Sequence, residues 1–426
     1  MQLSESVIAV RRDLHRHPEP AWCEFRTGSK VVLALRELGW TVAFGRDVIS
    51  SDARMGLPSS AELERFYQMA LQSGAAPDVL EKMRGGFTGV VAVLESGKPG
   101  PTIALRFDMD ANLGNEASVQ AHLPVREGFV SRNPGIHHNC GHDGHTAIGL
   151  EVAKALTAVQ SSLGGTIKII FQPAEEGLRG ANAMVAAGVL DGVDFLLGAH
   201  IGVQALKVGE VISGYRNILA STKIDAKFRG KSAHAAISPH RGNNALLAAC
   251  AATQNLMALP RHGEGETRIN VGLLSGGQSR NAIPEEALLS AELRADTTPI
   301  LRDLERWSEN VFKGAAQMHN VQVETTKVGS SCAASSDAEL SALIGEIASR
   351  ISSVTDVRGA EDFKASDDVA AMMQVVQSTG GQAVYFGLGS PLNECHHNPL
   401  FDFDERVLPI GVDLFVKAVQ RLGARQ

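Results

Sequence analysis

The sequence predicts an α/β fold in two domains, the second inserted into the first, and three observations carry that expectation. Apolar runs of strand length alternate with apolar residues at helical spacing through the first half of the chain. The strand candidates there end in chemically active side chains. From near Ser213 the texture changes to half-exposed strands with alternating faces, and towards the C-terminus the first texture returns.

VVAVLES (90–96) and TIALRFDMD (102–110) are apolar runs that finish in polar residues, and HTAIGLEVAKALTAV (145–159) has helical periodicity. TIKIIFQPAEE (166–176) and DFLLGAH (194–200) repeat the pattern of a buried strand with an interesting end. Ligands in open α/β sheets gather beyond the carboxyl ends of strands. Asp108, Asp110, Glu175, Glu176 and His200 all stand at such ends.

In the second texture STKIDAKFRG, TRINVGLLSGG and EALLSAELRADT alternate as half-buried strands do. NNALLAACAATQNLMAL and LRDLERWSENVFKGAAQMH supply two helices between them. One sheet and two helices make a small sandwich. VQVETTKVG is followed by GSSCAASSDAE, which suits a linker and a helix start. Strand YFGLG and a helix from about Asp404 then rejoin the first domain. The expected bounds are 1–213 with 329–426 for the main domain and 214–328 for the insertion.

Bulk properties narrow the function classes. A chain of 426 residues, 44% hydrophobic, is long enough for two or three cores. A formal charge of −7 with scattered Lys and Arg argues against nucleic acid or an acidic membrane as partner. No apolar run approaches the ~18 residues of a spanning helix. The N-terminus lacks a signal-peptide pattern. Five widely spaced cysteines form no disulfide framework and suit a reducing cytoplasm.

HHNCGHDGHT (137–146) concentrates four of the 14 histidines and one cysteine in a glycine-bearing loop. Thiolate and imidazole are good ligands for zinc and other transition metals. Taken alone, the loop could equally be a buried cysteine beside surface histidines. QPAEEG could be a solvated acidic turn, LLGAHIG a satisfied core histidine, and ECHHNPLFDFDE a polar loop. All four at strand ends or loops of one α/β core favour a metal site.

In this order, these four stretches resemble the metal motifs of the dinuclear metallopeptidase family that includes carboxypeptidase G, hippurate hydrolase and the indole-acetyl-amino-acid hydrolases. The resemblance runs over nearly the whole chain, from RRDLHRHPEPAWCEFRT through ALRFDMDAN to the inserted-domain motif GKSAHAAISPH. An insertion at residues 45–89, with SRNAIPEEALL, ASDDVAAMM and FDFDERVL, is similar to the A-subunit branch that cleaves p-aminobenzoyl-glutamate. GAEDF (359–363) mimics another family motif, but ASDDVAAMM has the better register.

The resemblance implies a main α/β metallopeptidase domain with a mixed central sheet, and an inserted α+β sandwich serving as lid and dimerisation domain. It implies two divalent metal ions, manganese first and zinc second, held by Cys140, His142, Glu176, His200 and His397, with Cys140 as bridge. His397 is preferred to His396 because it directly precedes the Asn-Pro pair. His137, His138 and His145 stay pocket or structural residues. Asp110 takes the place of the carboxylate that orients a ligating histidine, and Glu175 that of the general base.

By the same resemblance His234 is a catalytic donor reaching a neighbouring subunit's site, and Asn281 and Arg294 grip a substrate carboxylate. The implied reaction is amide hydrolysis of an N-acyl amino acid. p-Aminobenzoyl-glutamate is the first substrate, and another aryl or indolyl acyl-amino acid such as indole-3-acetyl-aspartate is the alternative. A homodimer or a heteromer with a B subunit is expected, as is the possibility that the chain works only with that B-type partner. DMDANLG and Asp367 depart from the common family pattern, which bears on the substrate and leaves the ligand set complete.

Overall fold

The computed structural model describes residues 2–424. The chain opens with α1 (Gln2–Arg16), α2 (Phe25–Glu37) and β1 (Thr41–Phe44). The 45–89 stretch adds α3 (Ser60–Gln72) and α4 (Pro77–Met83). Ser59 caps α3 by accepting the Glu62 N–H, a Ser-x-x-Glu start. Next come β2 (Val90–Glu95), β3 (Thr102–Asp108), β4 (Asn112–Leu113), α5 (Leu123–Arg126), β5 (Ile136–His137) and α6 (His142–Ala158). β6 (Thr166–Gln172), α7 (Ala181–Ala186), β7 (Phe195–Ile201), β8 (Glu210–Ile212) and β9 (Tyr215–Arg216) follow.

The next block holds β10 (Ala220–Arg229), α8 (Ala245–Met257), β11 (Thr267–Gly276), β12 (Glu286–Ala295), α9 (Thr298–Met318) and β13 (Gln322–Ser331). The chain closes with α10 (Ala338–Ala348), β14 (Asp356–Arg358), β15 (Glu361–Asp362), α11 (Val369–Ser378), β16 (Gln382–Leu388) and α12 (Val407–Gly423). No helix among the described residues is long and apolar enough to cross a membrane.

Two compact units result: residues 1–217, 334–363 and 367–426 in the first, and 218–333 with 364–366 in the second. The first is built on an eight-stranded mixed sheet of order β1-β2-β6-β3-β7-β16-β8-β14. β6, β3, β7 and β16 run parallel to one another at its centre. Buried on nearly every position, these strands read as continuous apolar runs, as strands covered on both faces must. Helix α6 is buried along most of its length and packs on β3, with α1 and α12 against it.

The second unit is an antiparallel sheet of order β11-β12-β10-β13 carrying α8 and α9. β12 alternates buried and half-buried positions along its length, which marks a sheet with one covered face. Asn244 and Thr297 cap the two helices. β13 continues through Ser331, paired with Ser221 of β10. The unit therefore ends a few residues later than the small-residue run after Gly329 suggests.

Candidate metal centre

Three loops beyond the ends of adjacent parallel strands meet the start of α6. Cys140 precedes Gly141, whose φ of 92° is left-handed and free of Cβ strain. That turn sends the chain directly into α6 at His142. Glu175 and Glu176 follow β6 in a turn closed by Gly180, where a Cβ would stand 1.7 Å from the Pro173 carbonyl oxygen. His200 is the penultimate residue of β7.

The ligand atoms of Cys140, His200 and His396 lie within 4.8 Å of one another, and so do those of Cys140, Glu176 and His397 and those of His142, Glu175 and Glu176. Cys140 and Glu176 each belong to two of these groups. Cys140 Sγ is 3.6 Å from His200 Nε2, and His397 Nε2 is 3.3 Å from Glu176 Oε1. His200 uses Nδ1 on the Ile201 carbonyl at 2.9 Å, which leaves Nε2 turned to Cys140.

His142 donates from Nδ1 to the backbone carbonyl of Asp110 at 2.9 Å, with the carboxylate oxygen at 3.4 Å. The Asp110 carboxylate accepts instead the backbone N–H groups of Glu175 at 3.0 Å and Glu176 at 2.9 Å. Asp110 thus orients the histidine with its main chain and the glutamate turn with its side chain. His142 Nε2 is buried without a hydrogen-bond partner. It faces Glu175 Oε2 at 3.8 Å.

The remaining histidines divide cleanly. His145 is used on both nitrogens, by Asp108 at 2.6 Å and the Ile201 N–H at 3.1 Å. His137 meets the carbonyls of Gly114 and Asn398, and His138 is buried with neither ring nitrogen bonded. His396 donates from Nε2 to the Ile201 carbonyl at 3.1 Å.

Sequence reasoning passed over several groups now at the site. Asn112 donates to Glu176 and, at 2.8 Å, to Asn139. Buried Asp367 and Asp368 stand with Glu175 in one group and pair with buried Arg106 at 3.3 and 3.2 Å. The signals for these residues were DMDANLG, the ASDDVAAMM stretch singled out for register, and Asp367 as a departure from the family pattern, none of them given a role at the site. Glu361 and Asp362 of GAEDF lie elsewhere: Glu361 pairs with Arg358 and Asp362 with Arg216.

Charge separates the two glutamates. Burial, then the negative charges of Asp367, Glu176 and Asp368, raises the Glu175 carboxyl well above the usual range. Burial also works against ionised Glu176, but His397, His142 and Asn112 together hold it at about 2. Paired carboxylates driven apart in this way are suited to different tasks.

In the second unit, His234 and Asn281 lie on neighbouring segments: His234 bridges Ala282 and the Ala235 N–H meets the Asn281 carbonyl at 2.9 Å. His234 is exposed, and its Nδ1 accepts the N–H groups of Ala236 and Ile237 at 3.2 and 3.1 Å. The structure does not bring Arg294 to this pair. His234 follows the Arg229 end of β10, whereas Arg294 pairs with Ser221 at the opposite end. The eight residue steps between those ends span about 25 Å. The Arg294 guanidinium is forked onto Glu292 at 2.8 and 3.0 Å.

A family model described as Peptidase family M20/M25/M40 matches residues 104–421. The chain belongs to this peptidase family. It is 44% identical to the A subunit of p-aminobenzoyl-glutamate hydrolase from Escherichia coli (strain K12), over 96% of this chain and 93% of that one. It is 45% identical to the indole-3-acetyl-aspartic acid hydrolase of Enterobacter agglomerans, over 97% and 94%. The crystal structure of an aminobenzoyl-glutamate utilization protein from Klebsiella pneumoniae superposes with a TM-score of 0.84 at 38% identity, covering 99% of this chain and 96% of that one.

This M20/M25/M40 chain is accordingly a metal-dependent amidohydrolase or peptidase. Its donors fit a divalent metal on chemical grounds. A thiol, imidazoles and carboxylates are the ligands that zinc and manganese accept. The orphaned His142 Nε2 is a buried acceptor or donor that has no other partner. Burial and then Glu176 push the Cys140 thiol well up, and a close cation is what turns such a thiol into thiolate.

Proposed function

We propose that the chain hydrolyses the amide bond of an N-acyl amino acid at two divalent metal ions, with p-aminobenzoyl-glutamate as substrate and p-aminobenzoate and glutamate as products. The observation that carries this reading is the convergence of Cys140, His142, Glu175, Glu176, His200 and His397 in overlapping groups beyond the central strands. Cys140, His142, Glu176, His200 and His397 would hold the metals, with Cys140 shared between them. His397 is preferred to His396, which also stands with Cys140 and His200, because it directly precedes the Asn398-Pro399 pair as the family resemblance requires. Manganese is the first choice and zinc the second.

When bound, the metals supply the positive charge that activates water for attack and polarises the scissile carbonyl. Glu175 accepts the proton as the water oxygen bonds to the carbonyl carbon. It then returns that proton to the amine nitrogen as the C–N bond breaks. His234 donates to the carbonyl oxygen as negative charge develops there. Its Nδ1 accepts two backbone N–H groups, so the neutral ring carries its proton on Nε2, as a donor must. Asn281 and Arg294, held far apart within one chain, are proposed to bind the carboxylate of the leaving amino acid from different subunits.

We assign the second unit to a lid and dimer contact, with His234 serving a neighbouring subunit. That neighbour is a second copy or a B-type partner, a reading supported by the Escherichia coli relative, which is itself named as one subunit of a hydrolase. Five free cysteines agree with a cytoplasmic location. The relative that acts on indole-3-acetyl-aspartic acid is equally similar, which makes that compound the second substrate reading.

The test is to strip metal with a chelator, reload with Mn2+ or Zn2+, and follow amino-acid release from both compounds. Turnover should vanish on stripping and return as two metals bind per chain, with the higher kcat/KM for p-aminobenzoyl-glutamate. Protein that is active without stoichiometric metal would overturn the mechanism. A higher kcat/KM for the indole compound would overturn the substrate.

A further inference from the structure

The N-terminal stretch RRDLHRHPEPAWCEFRT supplies none of the ligand atoms described above, yet its polar groups end beside residues that supply or orient them. Arg11 Nε and His15 Nδ1 both meet Asp143 Oδ2 at 2.8 Å, and Asp143 follows His142. The Ala111 N–H donates to the Glu19 carbonyl at 2.8 Å, and Ala111 follows Asp110. The Ala174 N–H donates to Glu24 Oε1 at 2.8 Å, and Ala174 precedes Glu175. Each contact crosses a long stretch of sequence to land one residue from the centre.

The Glu24 contact has the most direct consequence. Ala174 has a φ of 53°, left-handed and unfavourable for a residue with a Cβ. Trp22, at 67°, is held the same way, its N–H donating to the same Glu24 oxygen at 3.1 Å. Thr88 donates its hydroxyl to the other Glu24 oxygen at 2.5 Å. Asp110 takes the next two amides, so three successive N–H groups, 174 to 176, are fixed by two buried carboxyl groups. Without Glu24 the Ala174 N–H would be a buried donor with no acceptor, and the strained φ would be held only from its C-terminal side, where the Arg179 and Gly180 N–H groups donate to the Ala174 carbonyl.

We propose that Glu24 is a positioning residue for Glu175, holding Ala174 in the left-handed conformation that aims the Glu175 carboxyl at the side of His142. The N-terminal stretch is thereby a frame for the centre. The proposal rests on the reading of Glu175 as base. Burial, with Asp110 near, raises the Glu24 carboxyl to about 8, so a neutral amide is a close substitute for it. Gln at this position can accept from Ala174 and Trp22 while donating to the Thr88 oxygen.

The experiment compares Glu24→Ala, Glu24→Gln and Glu175→Gln as full-length, metal-loaded proteins, with kcat and KM measured alongside Mn2+ affinity by competition with a chromophoric chelator. Glu24→Ala should lose about 10–100-fold in kcat, the cost of a small displacement of a reacting group. KM and Mn2+ affinity should change by no more than about threefold. Glu24→Gln should restore kcat. If Glu24→Ala does not fold, Glu24→Asp replaces it: the carboxyl remains but falls one methylene short of Ala174, and the same loss in kcat is expected.

Wild-type kcat in Glu24→Ala, or in Glu24→Asp where that variant stands in, would overturn the proposal. So would loss of metal in step with loss of activity, or failure of Gln to restore turnover. The parallel variant separates the two readings. Full activity in Glu175→Gln would remove the base assignment itself. Inactive Glu175→Gln beside fully active Glu24→Ala would remove the positioning role alone.

Discussion

In the first unit Glu175 is 8% exposed, and the backbone N–H groups on and beside it end on buried carboxyls from distant parts of the chain. In the second, His234 is exposed, and its ring is held only by amides two and three residues away. The first arrangement fixes a side chain against the sheet and leaves it little freedom to reorganise. The second fixes a tautomer and leaves the ring turned to solvent. A group that shuttles protons needs the former. A group that meets charge supplied by another molecule can work from the latter.

The largest expected effect breaks the first arrangement at its centre. Glu175→Gln should keep its metals, since the backbone bonds to Asp110 do not involve the side chain, and should lose about 10²–10⁴-fold in turnover. Elemental analysis and steady-state rates decide it together. Near-normal turnover with metal in place would assign the proton to another group.

His234→Ala probes the exposed arrangement, and a loss of about 10²–10³-fold in kcat is expected for one missing oxyanion donor. Mixing it with Glu175→Gln and allowing subunits to exchange should restore activity. A mixed dimer then has one site with both groups intact. Verified exchange without recovery would confine His234 to its own subunit or remove it from the reaction.

Sequence reasoning read the central strands well because strands covered on both faces are plain apolar runs, and the centre lies at their ends. It could name Cys140, His142, Glu175 and Glu176 but could not see how they are held. A bond from Ala174 to Glu24, or from Asp143 to Arg11, links positions with no common periodicity. His396 and His397 are neighbours in a loop that turns left-handed at His397, and one ring meets the Ile201 carbonyl while the other meets Glu176. Asn281 and Arg294 are a dozen residues apart in sequence, yet β12 carries Arg294 away from the other. Strand length separates what sequence proximity joined.

The tether from α1 is expected to make stability depend on pH. Burial disfavours charged His15, but its hydrogen bonds to Asp143 and Glu116 outweigh that and raise it to about 9. A raised histidine stabilises fully below its unfolded value of 6.5, and the contribution is lost as pH climbs through about 9. The shift corresponds to about 3 kcal/mol. Thermal melts of wild type and His15→Gln should differ most near pH 6, with the gap closing towards pH 10. A gap that stays constant across that range would mean that packing, not protonation, is what His15 contributes.

The smallest effect concerns Arg294, whose fork is already occupied. Glu292 holds it in two-point contact while both side chains remain partly exposed, at 31% and 26%. A substrate carboxylate must therefore compete with, or displace, an existing partner, and a half-exposed pair of this kind is weak enough to yield. Arg294→Ala should raise KM for an N-acyl glutamate by about tenfold or less at constant kcat, the signature of lost ground-state binding. Glu292→Gln should act in the opposite direction, lowering KM by about two- to threefold as the guanidinium is released to pair with substrate. Opposite shifts would make the Arg294–Glu292 pair a regulator of carboxylate capture. Unchanged KM in both variants would reduce Arg294 to a sheet-surface ion pair, and carboxylate recognition would then fall to Asn281 and residues near it.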